Sequence, residues 1–124
     1  MIFFLTVEQV IAIHDYQLEM YGGLPGYRDI SVVEGMVARV ENLHTYQNEN
    51  DLHMLAASLL LSIARGHGFN DANKRTSAAA AMVFLDMNGA SMTPSENFAD
   101  FVVMAAQGLY DVHTVAEELK KLVD

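Results

Sequence analysis

The chain has 124 residues, 52% hydrophobic and 19% charged, a composition typical of one globular domain over residues 1–124 rather than of a disordered segment. Its formal net charge of −9 argues against direct nucleic-acid binding, which needs a surplus of Lys and Arg facing phosphates. The absence of cysteine excludes disulfides and thiolate metal sites, and no signal peptide or membrane-spanning run is visible, so we expect a soluble, cytoplasmic protein without a membrane partner.

Two helices are predicted in the first part of the chain, separated by a glycine-rich turn. Thr6 is a suitable N-cap for the first helix, which ends at a glycine pair that can take the left-handed conformation. Asp29 or Ser31 can cap a shorter second helix that runs through Val40. The following residues, 41–50, are polar, and we interpret them as the longest loop, where a lid could lie.

Two central helices are predicted next, because their apolar residues lie on nearly all sides. The first stops at Arg65–Gly66, and the second runs from about Asn73 to Asn88–Gly89. Four consecutive alanines in the second helix, residues 78–81, would let the neighbouring helix approach closely. The loop 66–72 joins the two helices.

The last part of the chain predicts two more helices. The segment Thr93-Pro94-Ser95-Glu96 has the cap, the proline and the glutamate of a helix start, and a final helix begins at about Val112. Only residues 2–5 resemble a short strand. The sequence therefore predicts an all-α, single-domain bundle of about six helices, in which a loop joins the two central ones.

Basic residues stand where helix energetics would favour acids. Asn73, Lys74 and Arg75 fall in the first turn of a helix, whose free N–H groups carry a partial positive charge and attract anions. Each base there opposes the helix dipole at a cost of about 0.3–1 kcal/mol when no anion is present. This conflict predicts a multiply charged anion, such as a phosphate group, at the helix start.

The polar residues around this helix start make up a set suited to phosphoryl transfer. His67 can act as the base that takes a hydroxyl proton, because imidazole exchanges protons near neutral pH. Asp71 is a hard oxygen ligand suited to Mg²⁺ that is shared with phosphate oxygens. Lys74 and Arg75 can neutralise the transferring group, and Asn73 can bind phosphate or fix the loop.

Other residues have structural interpretations. Phe69 is expected to point inward and to pin the loop to the core. The remaining histidines have no metal-binding spacing, so we interpret them as surface or partly buried residues without a catalytic role; they are His14, His44, His53 and His113.

The string from His67 to Arg75, H-G-F-N-D-A-N-K-R, resembles the signature of the Fic/Doc family, H-x-F-x-[DE]-G-N-G-R-x-x-R. Its A-N-K-R ending is similar to the Doc (death-on-curing) toxin branch, as are the turn 21–26 and Arg65–Gly66, so the resemblance covers almost the whole chain. It implies the all-helical Fic fold, with the active-site loop between the two central helices. It also implies site residues: His67 as base, Asp71 as Mg²⁺ ligand, and Asn73, Lys74 and Arg75 as ATP binders, with Arg65 either binding the ATP or supporting the loop.

The resemblance further implies a toxin that is neutralised by an antitoxin with a disordered C-terminal tail. Ordinary Fic proteins transfer AMP from ATP to a protein hydroxyl, whereas the Doc branch transfers the terminal phosphate to a threonine of translation elongation factor Tu and arrests translation. Ala72 and Lys74 replace two signature glycines, and Ala78 replaces the second arginine, which favours phosphate transfer here. AMP transfer and a non-catalytic, partner-binding helical module remain alternatives.

Overall fold

The computed structural model describes residues 1–124 as a bundle of six α-helices without a β-sheet. The helices are α1 (Val7–Tyr21), α2 (Ile30–Gln47), α3 (Leu52–Gly66), α4 (Asn73–Met87), α5 (Phe98–Ala106) and α6 (Val112–Lys121). The predicted all-α architecture is thereby confirmed. No helix combines the length and the apolar content that a bilayer crossing requires.

Side-chain caps explain where two of the predicted helices begin. At α1, the Gln9 N–H donates to the Thr6 hydroxyl and the Gln9 side chain accepts from the Thr6 N–H, which completes a capping box. At α3, one carboxylate oxygen of Asp51 accepts from the N–H groups of His53 and Met54. Because these N–H groups have no partner inside the helix, the caps satisfy them and set both starts.

Helices α3 and α4 lie at the centre of the bundle, as predicted. Helix α3 contacts α2, α4, α5 and α6, and α4 also packs against α1 and α5. Ala80 and Ala81 of α4 are fully buried, which is consistent with a close approach of the two helix backbones. The core of α3 is almost entirely aliphatic, and it comprises Leu55, Ala56, Ala57, Leu59, Leu60, Leu61, Ile63 and Ala64.

The prediction of a short second helix followed by a long loop is wrong. Helix α2 continues to Gln47, because half-buried Leu43 extends its apolar stripe beyond Val40. The end of α2 is closed by His44, whose Nδ1 lies 2.8 Å from the Glu49 carbonyl oxygen. Asn48 then adopts a left-handed conformation, with φ of 56°, and ends the helix. No lid lies in this segment.

The helix start predicted at residues 93–96 is also wrong, since α5 begins only at Phe98. The Thr93 N–H donates to the Leu122 carbonyl oxygen at 3.0 Å, and the Thr93 hydroxyl donates to the Asp124 carboxylate. Thr93 is therefore engaged with the end of the chain and does not cap a helix.

The candidate strand at residues 2–5 does not form. The backbone N–H of Phe3 donates to Oδ1 of Asn88 at 2.8 Å, and Nδ2 of Asn88 donates to the Phe3 carbonyl oxygen at 2.8 Å. An asparagine side chain thus takes the place of a neighbouring strand, and Leu5 is buried in the helical core.

Replacing a buried alanine with a larger residue should destabilise the bundle. Ala80 is fully buried, so we expect Ala80→Leu to lower the free energy of unfolding by about 1–3 kcal/mol, because a filled core must shift to admit the larger side chain. Ala38→Leu, at an exposed position of α2, is the control and should stay within about 0.5 kcal/mol of wild type. Urea unfolding measures both, and equal stabilities would contradict tight packing around α4.

Candidate active site

The loop between α3 and α4, residues 67–72, begins and ends in the left-handed conformation. His67 has φ of 52° and Ala72 has φ of 62°. This conformation costs a residue with a side chain about 1–2 kcal/mol, so it persists only where surrounding contacts hold it. The sharp turn leaves His67 exposed at the end of α3 and buries Phe69, as predicted, to 1% exposure.

The turn between α1 and α2 holds this loop in place. The Arg28 N–H donates to the Gly68 carbonyl oxygen at 2.8 Å, and the Asn70 N–H donates to the Gly26 carbonyl oxygen at 3.1 Å. Nδ2 of Asn70 also donates to the Pro25 carbonyl oxygen at 3.0 Å. These bonds supply partners for loop groups that no secondary structure satisfies.

The carboxylate of Asp71 is fixed by two backbone N–H groups. Leu24 donates to Oδ2 at 3.0 Å and Ala72 donates to Oδ1 at 2.8 Å. These bonds hold the pKa of Asp71 below its usual value, with smaller contributions from Arg75 and His14 and a small opposing effect of burial. Asp71 is therefore an anion at neutral pH, and stability that depends on it is lost only as the pH falls through this lowered pKa.

The carboxylate of Asp71 also fits a shared magnesium ion. Each of its oxygens accepts one N–H and retains a lone pair for a cation. No cluster of three or more His, Asp or Glu residues could hold a metal by itself. Mg²⁺ commonly binds through one or two carboxylates together with phosphate oxygens and water, so a single carboxylate suits it.

Asn73 performs the loop-fixing role that was one of its two predicted roles. Its Oδ1 accepts from the Phe69 N–H at 3.1 Å, and its Nδ2 donates to the Phe69 carbonyl oxygen at 3.1 Å. The side chain thus closes the loop on itself. Phosphate binding by Asn73 stays a prediction.

Lys74 and Arg75 both line the same cleft as His67. Lys74 is exposed, and the ion pairs of the chain involve neither of these bases. Nη2 of Arg75 donates to the Gly22 carbonyl oxygen at 3.0 Å, and its guanidinium carbon lies 6.0 Å from the centre of the Tyr21 ring. Arg75 is therefore anchored to the end of α1, whereas Lys74 is free to contact a ligand.

The cleft has a volume of about 1020 Å³, near the upper end of the usual range for small-molecule sites. Its polar end is the loop and the start of α4. Its walls are formed by α4, α5 and the segment before α5, through mostly small or apolar side chains that include Ala78, Ala79, Met82, Phe98, Ala99 and Val102. The arrangement suits a molecule with a negatively charged end and a less polar end.

Arg65 is not brought to this cleft. Its Nε donates to the Ala105 carbonyl oxygen at 2.9 Å, and its Nη2 donates to the Tyr110 carbonyl oxygen at 2.6 Å. Arg65 does not line the cleft and instead connects the end of α3 to α5 and to the segment that follows α5, while its contact with a nucleotide stays a prediction.

The sequence interpretation missed His14. The predicted surface or partly buried position is wrong, because His14 is only 1% exposed and its Nε2 lies 2.9 Å from the Asp71 carbonyl oxygen. Its ring stacks on Phe69, with 3.9 Å between ring centres and an interplanar angle of 8°. The one available signal was its place four residues after fully buried Val10, on the inner face of α1.

Comparison with known proteins identifies a family and similar chains. The family model described as the Fic/DOC family matches residues 4–85, which include the loop and the turn that holds it. The chain is 42% identical over 118 residues to "Protein kinase doc" of Escherichia phage P1, covering 95% of this chain and 94% of that protein. It is also 35% identical over 108 residues to "Toxin Doc" of Mycolicibacterium smegmatis, covering 80% of this chain and 79% of that protein.

A side chain at Gly23 should displace Asp71. Gly23 has φ of +130°, and a Cβ there would lie 2.7 Å from Oδ2 of Asp71 and 2.9 Å from Cδ2 of Leu18. We expect Gly23→Ala to lower the free energy of unfolding by about 1–3 kcal/mol more than Gly89→Ala. Gly89 is the control because it shares a positive φ, +80°, but a Cβ at that position would have no neighbouring atom within 4 Å. Urea unfolding that shows equal losses would contradict a tight contact at Asp71.

Proposed function

The chain belongs to the Fic/DOC family, and from this premise we propose that it is the toxin of a toxin–antitoxin pair and acts as a phosphotransferase. It transfers the terminal phosphate of ATP, with Mg²⁺, to a threonine of translation elongation factor Tu and so arrests translation. The proposed chemistry rests on one observation. The start of α4, where Lys74 makes no ion pair, lines the same cleft as exposed His67 and anionic Asp71. The name of one relative, "Protein kinase doc", supports the reaction class, and the name of the other, "Toxin Doc", supports the toxin role.

The start of α4 provides the phosphate site in this proposal. No side chain caps the helix, because its N-cap residue is Ala72 in the left-handed conformation. The N–H groups of the first turn therefore remain available to an anion. Lys74 adds a positive charge beside them, and the anchored Arg75 adds a second one at the cleft wall.

His67 is the base in this proposal. A hydroxyl of the protein substrate reaches its exposed imidazole, which takes the hydroxyl proton as the oxygen attacks the terminal phosphorus of ATP. The bond between that phosphorus and the bridging oxygen breaks, so the products are a phosphorylated hydroxyl and ADP. Asp71 would hold the Mg²⁺, which neutralises phosphate charge when it is bound.

An antitoxin with a disordered C-terminal tail is the proposed partner. Two large apolar side chains are exposed close to the cleft, where such a segment could cover them: Tyr21 at 70% and Leu24 at 64%. Their position beside the loop and its supporting turn means that a bound tail would also restrict access to the site.

Labelled ATP distinguishes the possible reactions. The protein is incubated with elongation factor Tu, Mg²⁺ and ATP labelled on either the terminal or the alpha phosphate. We expect label from the terminal phosphate on the elongation factor, and none with His67→Ala, because that variant lacks the base. Label from the alpha phosphate would replace the proposal by AMP transfer. Absence of both would favour a non-catalytic partner-binding module.

Growth arrest tests the toxin role separately. Expression of the wild-type chain should stop growth, whereas His67→Ala should form colonies, since loss of the general base lowers the transfer rate roughly 10²–10⁴-fold. His113→Ala is the control, because His113 is exposed on α6 and lies outside the cleft. Equal toxicity of wild type and His67→Ala would refute a catalytic toxin.

A further inference from the structure

We propose that His14 is a positioning residue of the site: it holds the Asp71 carbonyl group and thereby sets the orientation of the Asp71 carboxylate and of the first turn of α4. The consequence for catalysis rests on the proposed function, whereas the positioning itself stands on geometry. His14 does not line the cleft and acts only through the loop.

The hydrogen bond between α1 and the loop is directional. Nε2 of His14 lies 2.9 Å from the Asp71 carbonyl oxygen, and a carbonyl oxygen can only accept, so Nε2 carries the hydrogen. At the other side of the ring, Nδ1 lies 3.4 Å from Oδ1 of Asp15. Because His14 is 1% exposed, water does not easily replace its bond to the Asp71 carbonyl oxygen, and loss of the donor would leave that oxygen unpaired.

The ring of His14 also supports a second loop residue. It stacks on Phe69, whose backbone N–H and carbonyl oxygen are both bound by the side chain of Asn73. One imidazole thus contacts the loop at residues 69 and 71. Its donor and its ring face are both in use, and the hydrogen bond is the contact that orients Asp71.

Asp71 is consequently held from both of its ends. His14 binds its carbonyl oxygen, while Leu24 and Ala72 donate to its carboxylate. The peptide bond that carries this carbonyl group leads directly to Ala72, the left-handed N-cap of α4. A rotation of that peptide would move the carboxylate and the first free N–H groups together, and misplacements of about 1 Å can cost roughly 100-fold in rate.

Variants of His14 separate the hydrogen bond from the stacking. His14→Phe retains a ring against Phe69 but lacks the donor, whereas His14→Gln retains an amide donor near the position of Nε2. His44→Phe is the matched control, because Nδ1 of His44 lies 2.8 Å from the Glu49 carbonyl oxygen and its ring packs near Phe4, away from the cleft. His44→Phe thus also removes a contact between an imidazole nitrogen and a backbone carbonyl oxygen.

Kinetics provides the first measurement. We expect His14→Phe to lower kcat for phosphate transfer about 10- to 100-fold with a smaller change in KM for ATP, and His14→Gln to restore most of the loss. His44→Phe should keep the wild-type kcat even where its thermal midpoint falls as much as that of His14→Phe. A loss in His14→Phe no larger than in His44→Phe, or no rescue by His14→Gln, would overturn the proposal.

Amide hydrogen exchange provides a measurement that needs no activity. In His14→Phe, exchange should accelerate at residues 69–73 but not in α6, while His14→Gln should resemble wild type. Unchanged exchange in the loop overturns the proposal, even if the wild-type chain transfers no phosphate and the proposed function itself has failed. If His14→Phe does not fold, His14→Asn, whose shorter amide does not reach the carbonyl group, is compared with His14→Gln by the same criteria.

Discussion

The candidate site depends on the pairing of the α1–α2 turn with loop 67–72. A loop between two buried helices has few partners for its peptide groups, and the turn supplies them through Arg28, Gly26 and Pro25. The Asn70–Pro25 bond joins residues 45 positions apart, so these contacts exist only once α1 and α2 have packed on the central helices. The cleft is thus a product of the whole bundle.

The core stabilises a site that is locally unfavourable. Helix α4 begins at a left-handed Ala72, lacks a side-chain cap and carries Lys74 in its first turn, and each of these features costs energy in isolation. The same helix buries Phe84 and Leu85 against its neighbours, which offsets the cost. An anion bound at the helix start would offset two of these costs, the missing cap and the repulsion between Lys74 and the helix dipole. Such a pattern is expected where local stability is lower for the sake of binding.

The sequence could predict what local chemistry decides. The starts of α1 and α3 follow from side-chain caps, and the contiguous motif placed most of the candidate residues around one loop. Long-range partners decided the rest. Thr93 has the side chain of a helix cap, but its N–H donates to the Leu122 carbonyl oxygen instead of belonging to a helix start. Arg65 and His14 bind carbonyl groups of residues 40 and 57 positions away in the sequence. The chemistry of such side chains is visible in a sequence, but their partners are not.

The groups of the site divide into those that are fixed and those that are free. Asp71, Asn73 and Arg75 each make at least two hydrogen bonds to the turn, the loop or α1. The side chains of His67 and Lys74 make none of these bonds, and both are exposed residues that line the cleft. In the proposed reaction, fixed groups reduce the reorganisation needed as charge develops, while the free base and lysine adjust to a protein hydroxyl and a phosphate that arrive separately. A site with a rigid base would suit a small, uniformly bound substrate better than a threonine presented by a second protein.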